Sequence, residues 1–177
     1  MKVALYHGRH VPMRGLEELV QSCEFLHKDV TLVLRGYGTI EAELRELGKP
    51  FTNCKFAPPV PMEKLTEVAS SADVGVIPYI PVNINNYFTS PNKLFEYIGA
   101  GLAVVGSDVP FLRQIILENE IGYVFNPRDP QSIADAINKA TRKENLAHLR
   151  ANVQRIKHKY SWQAEQKKLL AIYAQAK

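Results

Sequence analysis

Val30-Thr-Leu-Val-Leu-Arg-Gly-Tyr-Gly38 is the stretch on which the reading of this 177-residue chain turns. Its first five residues are apolar or β-branched with no alternation, the pattern of a strand covered on both faces. The turn Arg35-Gly-Tyr-Gly38 follows, then a charged helix over about residues 39–47. A doubly covered strand leading straight into a helix is the repeating unit of a parallel sheet flanked by helices.

The same unit recurs on either side. Upstream, Val3-Ala-Leu-Tyr6 is a first strand, and a helix over about residues 15–27 places Leu16, Leu19, Val20 and Cys23 on one side. Downstream come Asn53-Cys-Lys-Phe-Ala57, a helix over about residues 62–70 opened by Pro61, and the strand Val74-Gly-Val-Ile-Pro78. The stretch from Tyr79 to Thr89 has no sustained period and reads as a long loop. Pro91 opens a helix that Gly101 ends, and Ala103-Val-Val-Gly106 and Gly122-Tyr-Val-Phe125 are the last strands. Helices near 131, over about 144–159 and over 162–174 close the chain. The expected architecture is α/β: one Rossmann-like domain over residues 1–177 with a helical C-terminal segment.

Composition narrows the function. Hydrophobic residues make up 46% and charged residues 23%, ordinary globular usage. No apolar run approaches the roughly 18 residues that span a bilayer. Met1-Lys-Val-Ala-Leu-Tyr-His-Gly8 turns polar after one strand length, too soon for a secretory signal. Cys23 and Cys54 lack CxxC spacing, which fits a reducing cytoplasm. His7, His10, His27, His148 and His158 show no ligand spacing and read as surface residues, so no metal is expected. Much of the net charge of +4 comes from the last third, through Arg142, Lys143, Arg150, Arg155, Lys157, Lys159, Lys167 and Lys168. Such a face is either solvated or a peripheral contact at the inner face of a membrane; without interleaved aromatics it does not suit nucleic acid.

Ligands of open parallel sheets bind beyond the carboxyl ends of the strands, where helix N-termini offer unpaired N–H groups. Three segments there carry cations: Gly8 to Gly15 with Arg9 and Arg14, Arg35 to Gly38, and Thr89-Ser-Pro-Asn-Lys93 before Glu96. On residues alone, Arg9 and Arg14 are either two surface arginines or a pair of cations for a diphosphate. Gly36 and Gly38 make either a tight turn or a phosphate contact, without the third glycine of a dinucleotide fingerprint. Glu96 either faces solvent or accepts from a ribose diol.

The order of these segments resembles the C-terminal domain of the retaining family 4 glycosyltransferases, two-domain GT-B enzymes that use nucleotide-diphosphate sugars. His7-Gly-Arg9 through Met13-Arg-Gly-Leu16 is similar to the family's Gly-Arg…Lys-Gly segment, with Arg14 in place of the lysine. Leu32 to Gly38 resembles its strand ending in Gly-x-Gly, and Phe56 to Leu65 its Phe-x-Pro…Leu stretch. Ala72-Asp-Val-Gly-Val-Ile-Pro78, Ile121-Gly-Tyr-Val-Phe-Asn-Pro127 and Tyr160-Ser-Trp162 match further family strings.

The resemblance implies that Arg9 and Arg14 stabilise a departing nucleoside diphosphate without metal or other cofactor. It implies donor contacts at Gly8, Gly36, Phe56, Ala57, Ser90, Asn92, Lys93, Leu94 and Glu96, with backbone N–H donors at Asn92, Lys93 or Leu94 and the ribose on Glu96. Most members have a second glutamate ahead of this one, on the sugar. Here Phe88 stands eight residues before Glu96 and that carboxylate is missing, so the sugar contact falls to Asn85, Asn86 or backbone. Ser90-Pro-Asn-Lys-Leu-Phe-Glu-Tyr97 instead is similar to a variant of bacterial surface-polysaccharide transferases. The family's acceptor pocket and its active-site histidine lie in an N-terminal domain that is not among these residues. The chain is therefore expected to bind a nucleotide sugar and to transfer little by itself. The competing expectations are a nucleotide-sugar epimerase fragment and a non-catalytic nucleotide-sugar sensor.

Overall fold

The computed structural model describes residues 1–175. Six strands form one parallel sheet in the order β3-β2-β1-β4-β5-β6: β1 Lys2–Arg9, β2 Val30–Tyr37, β3 Cys54–Ala57, β4 Val74–Ile77, β5 Ala103–Ser107 and β6 Gly122–Phe125. The chain winds outward from β1 in one direction, returns, and continues from β4 in the other. The junction of β1 and β4 is therefore the topological switch point, where an α/β sheet opens a crevice.

Both faces of the sheet are covered, as the unbroken apolar run of β2 requires. One core gathers Ala4, Tyr6, Leu32 and Leu34 with Leu16 and Leu19 of α1 (Leu16–Gln21), Leu44 of α2 (Glu41–Gly48), and Ile133 and Ile137 of α7 (Pro130–Thr141). The other gathers Leu5, Ile77 and Val104 with Leu94, Tyr97 and Ile98 of α5 (Asn92–Ala100), Leu112 and Ile116 of α6 (Pro110–Glu118), and Val153 of α8 (Lys143–Ile156). Successive residues of β1 thus point into different cores, the period-two geometry of a strand. Asp73 ties the two halves at the opposite end of the sheet: its carboxylate accepts from the Val3 N–H at 2.9 Å and pairs with Lys2 and Arg150.

Several boundaries differ from the sequence expectation. β1 extends through Gly8 and Arg9, and β2 through Gly36 and Tyr37, so Gly8 and Gly36 are paired strand residues rather than loop residues. At Gly36, φ is +149° and a Cβ would stand 1.8 Å from the Gly8 carbonyl oxygen, so only glycine lets the strands remain in register there. The first helix stops at Gln21 and tightens into a 3₁₀ turn, Ser22–Phe25; the third begins as a 3₁₀ turn, Met62–Lys64, before α3 (Leu65–Ala69). The stretch after β4 is not wholly irregular: α4 (Ile84–Tyr87) forms one turn, capped by the Asn83 carboxamide oxygen accepting from the Asn86 N–H at 2.8 Å. Absent from the sequence expectation is α6, which begins with Pro110 in its first turn. The last helix, α9 (Trp162–Gln175), buries none of these residues.

Candidate functional site

A cavity of about 300 Å³ lies at the switch point, lined by His7, Gly8 and Arg9 of β1, Leu65 of α3, Tyr79 beyond β4, and Asn92, Lys93 and Glu96 of α5. A second cavity of about 140 Å³ adjoins it, sharing Gly8, Arg9 and Leu65 and adding Arg35, Gly36, Tyr37, Pro59 and Val60. Segments far apart in sequence reach this place because parallel strands all end at the same edge of the sheet.

α5 supplies the anion-facing end. Pro91 is its N-cap residue and contributes no side-chain hydrogen bond. The Asn92 and Lys93 N–H groups consequently open the helix with no intrahelical acceptor, at the positive end of its dipole. Leu94 does not share this role: its N–H is already spent on the Pro91 carbonyl at 3.0 Å, and its side chain is fully buried in the core. Lys93 reaches back over β1, where its ammonium lies 5.2 Å from the Tyr6 ring centroid and 5.6 Å from that of Tyr79. That ammonium is 2.7 Å from where a Cβ at Gly8 would be, so the open space over Gly8 is where Lys93 sits.

Arg9 and Arg14 part company. Arg9 lines both cavities, its guanidinium 5.7 Å from the Tyr37 ring centroid. Arg14 lines neither; it stacks 4.5 Å from the Tyr79 ring centroid and reaches the cavity only through that ring. Tyr79 is thus flanked by two cations, and its hydroxyl is 3.5 Å from the Lys93 ammonium.

Glu96 is one-third exposed, and its Oε2 lies 2.9 Å from His7 Nε2. This pairing holds the carboxyl below its usual pKa, with the Lys93 charge adding in the same direction. The sequence reading of the histidines as surface residues is corrected here: His7 is 3% exposed and His10 1%. Both are carried inward by the extension of the Gly8–Gly36 strand pair. The imidazole of His7 stacks on Tyr97 at 4.8 Å between centroids. Tyr97, buried and raised in pKa by burial, accepts from the His7 N–H at 3.2 Å and donates to the Leu5 carbonyl at 3.0 Å.

Phe56, Ala57, Ser90, Phe88 and Asn86 line neither cavity. Phe56 packs half-buried against the first core beneath the Arg45 guanidinium, and Ala57 continues β3 opposite Arg35. Arg35 itself donates to the Pro58 carbonyl at 2.8 Å and pins the loop after β3. Ser90 and Phe88 are exposed, and the Asn86 carboxamide donates to the Ile80 carbonyl at 3.1 Å, holding its own loop together. The residues that sequence reasoning missed are His7 and Tyr79. Among the described residues no group of three or more His, Cys, Asp or Glu is placed to hold a metal ion, and no helix is long and apolar enough to cross a membrane.

Known proteins resemble this chain in sequence and in fold. The chain is 28% identical to the D-inositol 3-phosphate glycosyltransferase of Xylanimonas cellulosilytica over 97% of its own length, and spans 42% of that relative. Among solved structures, sucrose-phosphate synthase of Thermosynechococcus elongatus superposes with a TM-score of 0.77 at 23% identity, over 99% of this chain and 45% of that one. Anabaena Alr3699/HepE, solved with UDP-glucose, does so with a TM-score of 0.79 at 17% identity, over 97% of this chain and 48% of that one. The fold is accordingly that of one half of a GT-B enzyme. A family model described as "Glycosyl transferases group 1" matches residues 1–143, more than half of the sequence, and the chain belongs to that family.

Proposed function

We propose that this chain is the donor-binding half of a retaining glycosyltransferase that takes a nucleoside-diphosphate sugar of the UDP or GDP type. The observation that carries the reading is the split character of one cavity. Arg9, Lys93 and the open N-terminus of α5 line it as cationic groups, and the Glu96 carboxylate lines it as an acceptor. A diphosphate needs several donors, and a ribose diol needs an acceptor that takes both hydroxyls. Anabaena Alr3699/HepE, a relative in fold, was solved with UDP-glucose, which supports a ligand of this class.

In this reading the bond from the anomeric carbon to the diphosphate breaks and a bond to an acceptor oxygen forms on the same face, with the acceptor proton passing to the departing phosphate. The diphosphate gains charge as it leaves, so cations placed in advance at that position stabilise the transition state more than the ground state. Arg9 and Lys93 take this role directly. Arg14 acts through Tyr79, which it stacks against. The acceptor, a glycan or lipid-linked sugar of a surface polysaccharide, is proposed to be held by a second half of the same polypeptide. A cytoplasmic setting fits the two buried free thiols, Cys23 and Cys54.

Calorimetric titration with UDP-, GDP-, ADP- and TDP-sugars, with and without Mg²⁺, tests the proposal on the wild type, Arg9→Ala and Glu96→Ala. One donor is expected to bind without Mg²⁺, and each substitution to weaken it by roughly tenfold or more, the worth of a charge-assisted hydrogen bond. Absence of binding at millimolar concentration, or variants that bind as well as wild type, would refute it.

A further inference from the structure

The imidazole of His7 is buried between Tyr97 and Glu96, and its placement bears on Glu96. His7 lies in β1 on the side that faces α5. Its ring stacks on Tyr97 with 25° between planes. Tyr97 is itself immobilised by its hydroxyl bonds to β1 and by its ring, which lies 2.3 Å from where a Cβ at Gly75 would stand. The stack therefore rests directly on the backbone of β4. His7 Nε2 is left 2.9 Å from Glu96 Oε2, at the wall of the cavity.

A ring nitrogen facing a carboxylate carries the proton, so Nε2–H is the donor. The approach is off the N–H axis: the contact has the distance of an ion pair without the alignment of a full hydrogen bond, and Nε2 is otherwise without a partner. Glu96 Oε1 has no hydrogen bond or ion pair among the described residues, and the side chain is one-third exposed. One oxygen is held by His7 while the other is left without a partner among the described residues, on a residue that lines the cavity.

We propose that His7 is a positioning residue that presents Glu96 to the two hydroxyls of a ribose, so that the pair selects ribonucleotides over 2′-deoxyribonucleotides; this rests on the donor-site reading above. A glutamate that must find its rotamer on binding loses side-chain freedom at that moment. One already held by His7 has lost it beforehand, and the saving appears as affinity for any ligand that offers a diol. A ligand lacking the 2′-hydroxyl gains little from this arrangement, because a single hydroxyl does not need the carboxylate in one orientation.

The test is titration of UDP, GDP and ADP against dUDP, dGDP and dADP, using wild type, Glu96→Ala, His7→Phe and His7→Gln. For the base that binds best, wild type is expected to prefer the ribonucleotide by about tenfold or more, and Glu96→Ala to lose that preference. His7→Phe keeps the stack on Tyr97 and removes the donor. It is expected to lower the preference about three- to tenfold, weakening the ribonucleotide more than the deoxyribonucleotide, and His7→Gln, whose amide keeps a donor, to recover part of it. If His7→Phe retains the full preference while Glu96→Ala loses it, the role of His7 is wrong and the donor site stands. If His7→Phe weakens both nucleotide forms equally, its effect is structural and the positioning role is likewise refuted. If wild type shows no preference, or binds none of the six, the ribose assignment of Glu96 fails with it.

Discussion

His7 and His10 are three residues apart, both buried, and differ in almost everything else. His7 faces α5 and an open cavity, with the Glu96 carboxylate at 2.9 Å. His10 points to the other side of the sheet, among Tyr6 and the edge of Phe56, with Glu41 no nearer than 3.9 Å and no hydrogen bond to either ring nitrogen. Burial holds the His10 pKa below the ordinary imidazole value, the Glu41 charge opposing this only in part. Burial of a titratable ring therefore does not by itself mark a site. What separates the two is a carboxylate brought by an element whose N-terminus opens into a cavity.

The largest perturbation strikes both histidines at once. Gly36→Ala puts a Cβ 1.8 Å from the Gly8 carbonyl oxygen at a φ of +149°, and the strand pair that carries both rings inward must part. A loss of about 3 kcal/mol or more is expected from the clash and strain together, which for a chain of this length lowers Tm by roughly 6–12 °C in a thermal melt. A shift of less than a degree or two would show that the close approach is not what orders this segment.

Effects confined to the His7 side come next. Lys93→Ala removes the ammonium that sits over Gly8 and is expected to weaken nucleoside-diphosphate binding by about 1.5–3 kcal/mol and to flatten its salt dependence, with little change in Tm. Equal affinity at low and high salt in the wild type would count against a diphosphate at this wall. Tyr97→Phe removes the hydroxyl that accepts from the His7 N–H. Leaving a buried donor unpaired costs about 1–3 kcal/mol, read in denaturant unfolding, and disturbs the His7 ring rather than the His10 ring.

The smallest effect belongs to His10 and is a matter of pH. Its folded pKa lies below the unfolded one, near 6.5, so as pH falls below about 6.5 the unfolded chain binds the proton first and stability declines. Glu96, depressed below 4.5 by His7, adds a loss in the same direction only at lower pH. His10→Phe should therefore make Tm between pH 7 and pH 5 less steep while leaving the more acidic limb in place. An unchanged slope would assign that pH dependence to other groups.

How much of this was legible in the sequence follows the same division. β2 declared itself because a strand buried on both faces needs an unbroken apolar run, and α5 because Pro91 and Gly101 bracket it with residues that start and stop helices. Glu96 and Lys93 could be placed beside the cavity since both ride on that helix. His7 could not, because its partner is 89 residues away and nothing in the local string reports a parallel register. The strand extension through Gly8 was hidden for a related reason: a glycine reads as a turn until a second glycine is known to lie opposite it. Tyr79 looked like the start of an irregular loop, and only the fold shows Arg14 and Lys93 flanking its ring. α6 carries an equally local signal, Pro110 followed by Leu112, Ile115 and Ile116 at helical spacing.

The most direct test of the central claim is to map where a nucleotide sugar lands. In two-dimensional NMR spectra of the labelled protein titrated with UDP-glucose and GDP-mannose, perturbed resonances should centre on His7, Gly8, Arg9, Gly36, Asn92, Lys93 and Glu96, with His10 largely unmoved. Shifts centred instead on the separate cavity lined by Pro81, Asp108 and Arg128, or no shifts at millimolar ligand, would contradict a donor site at the junction of β1 and β4.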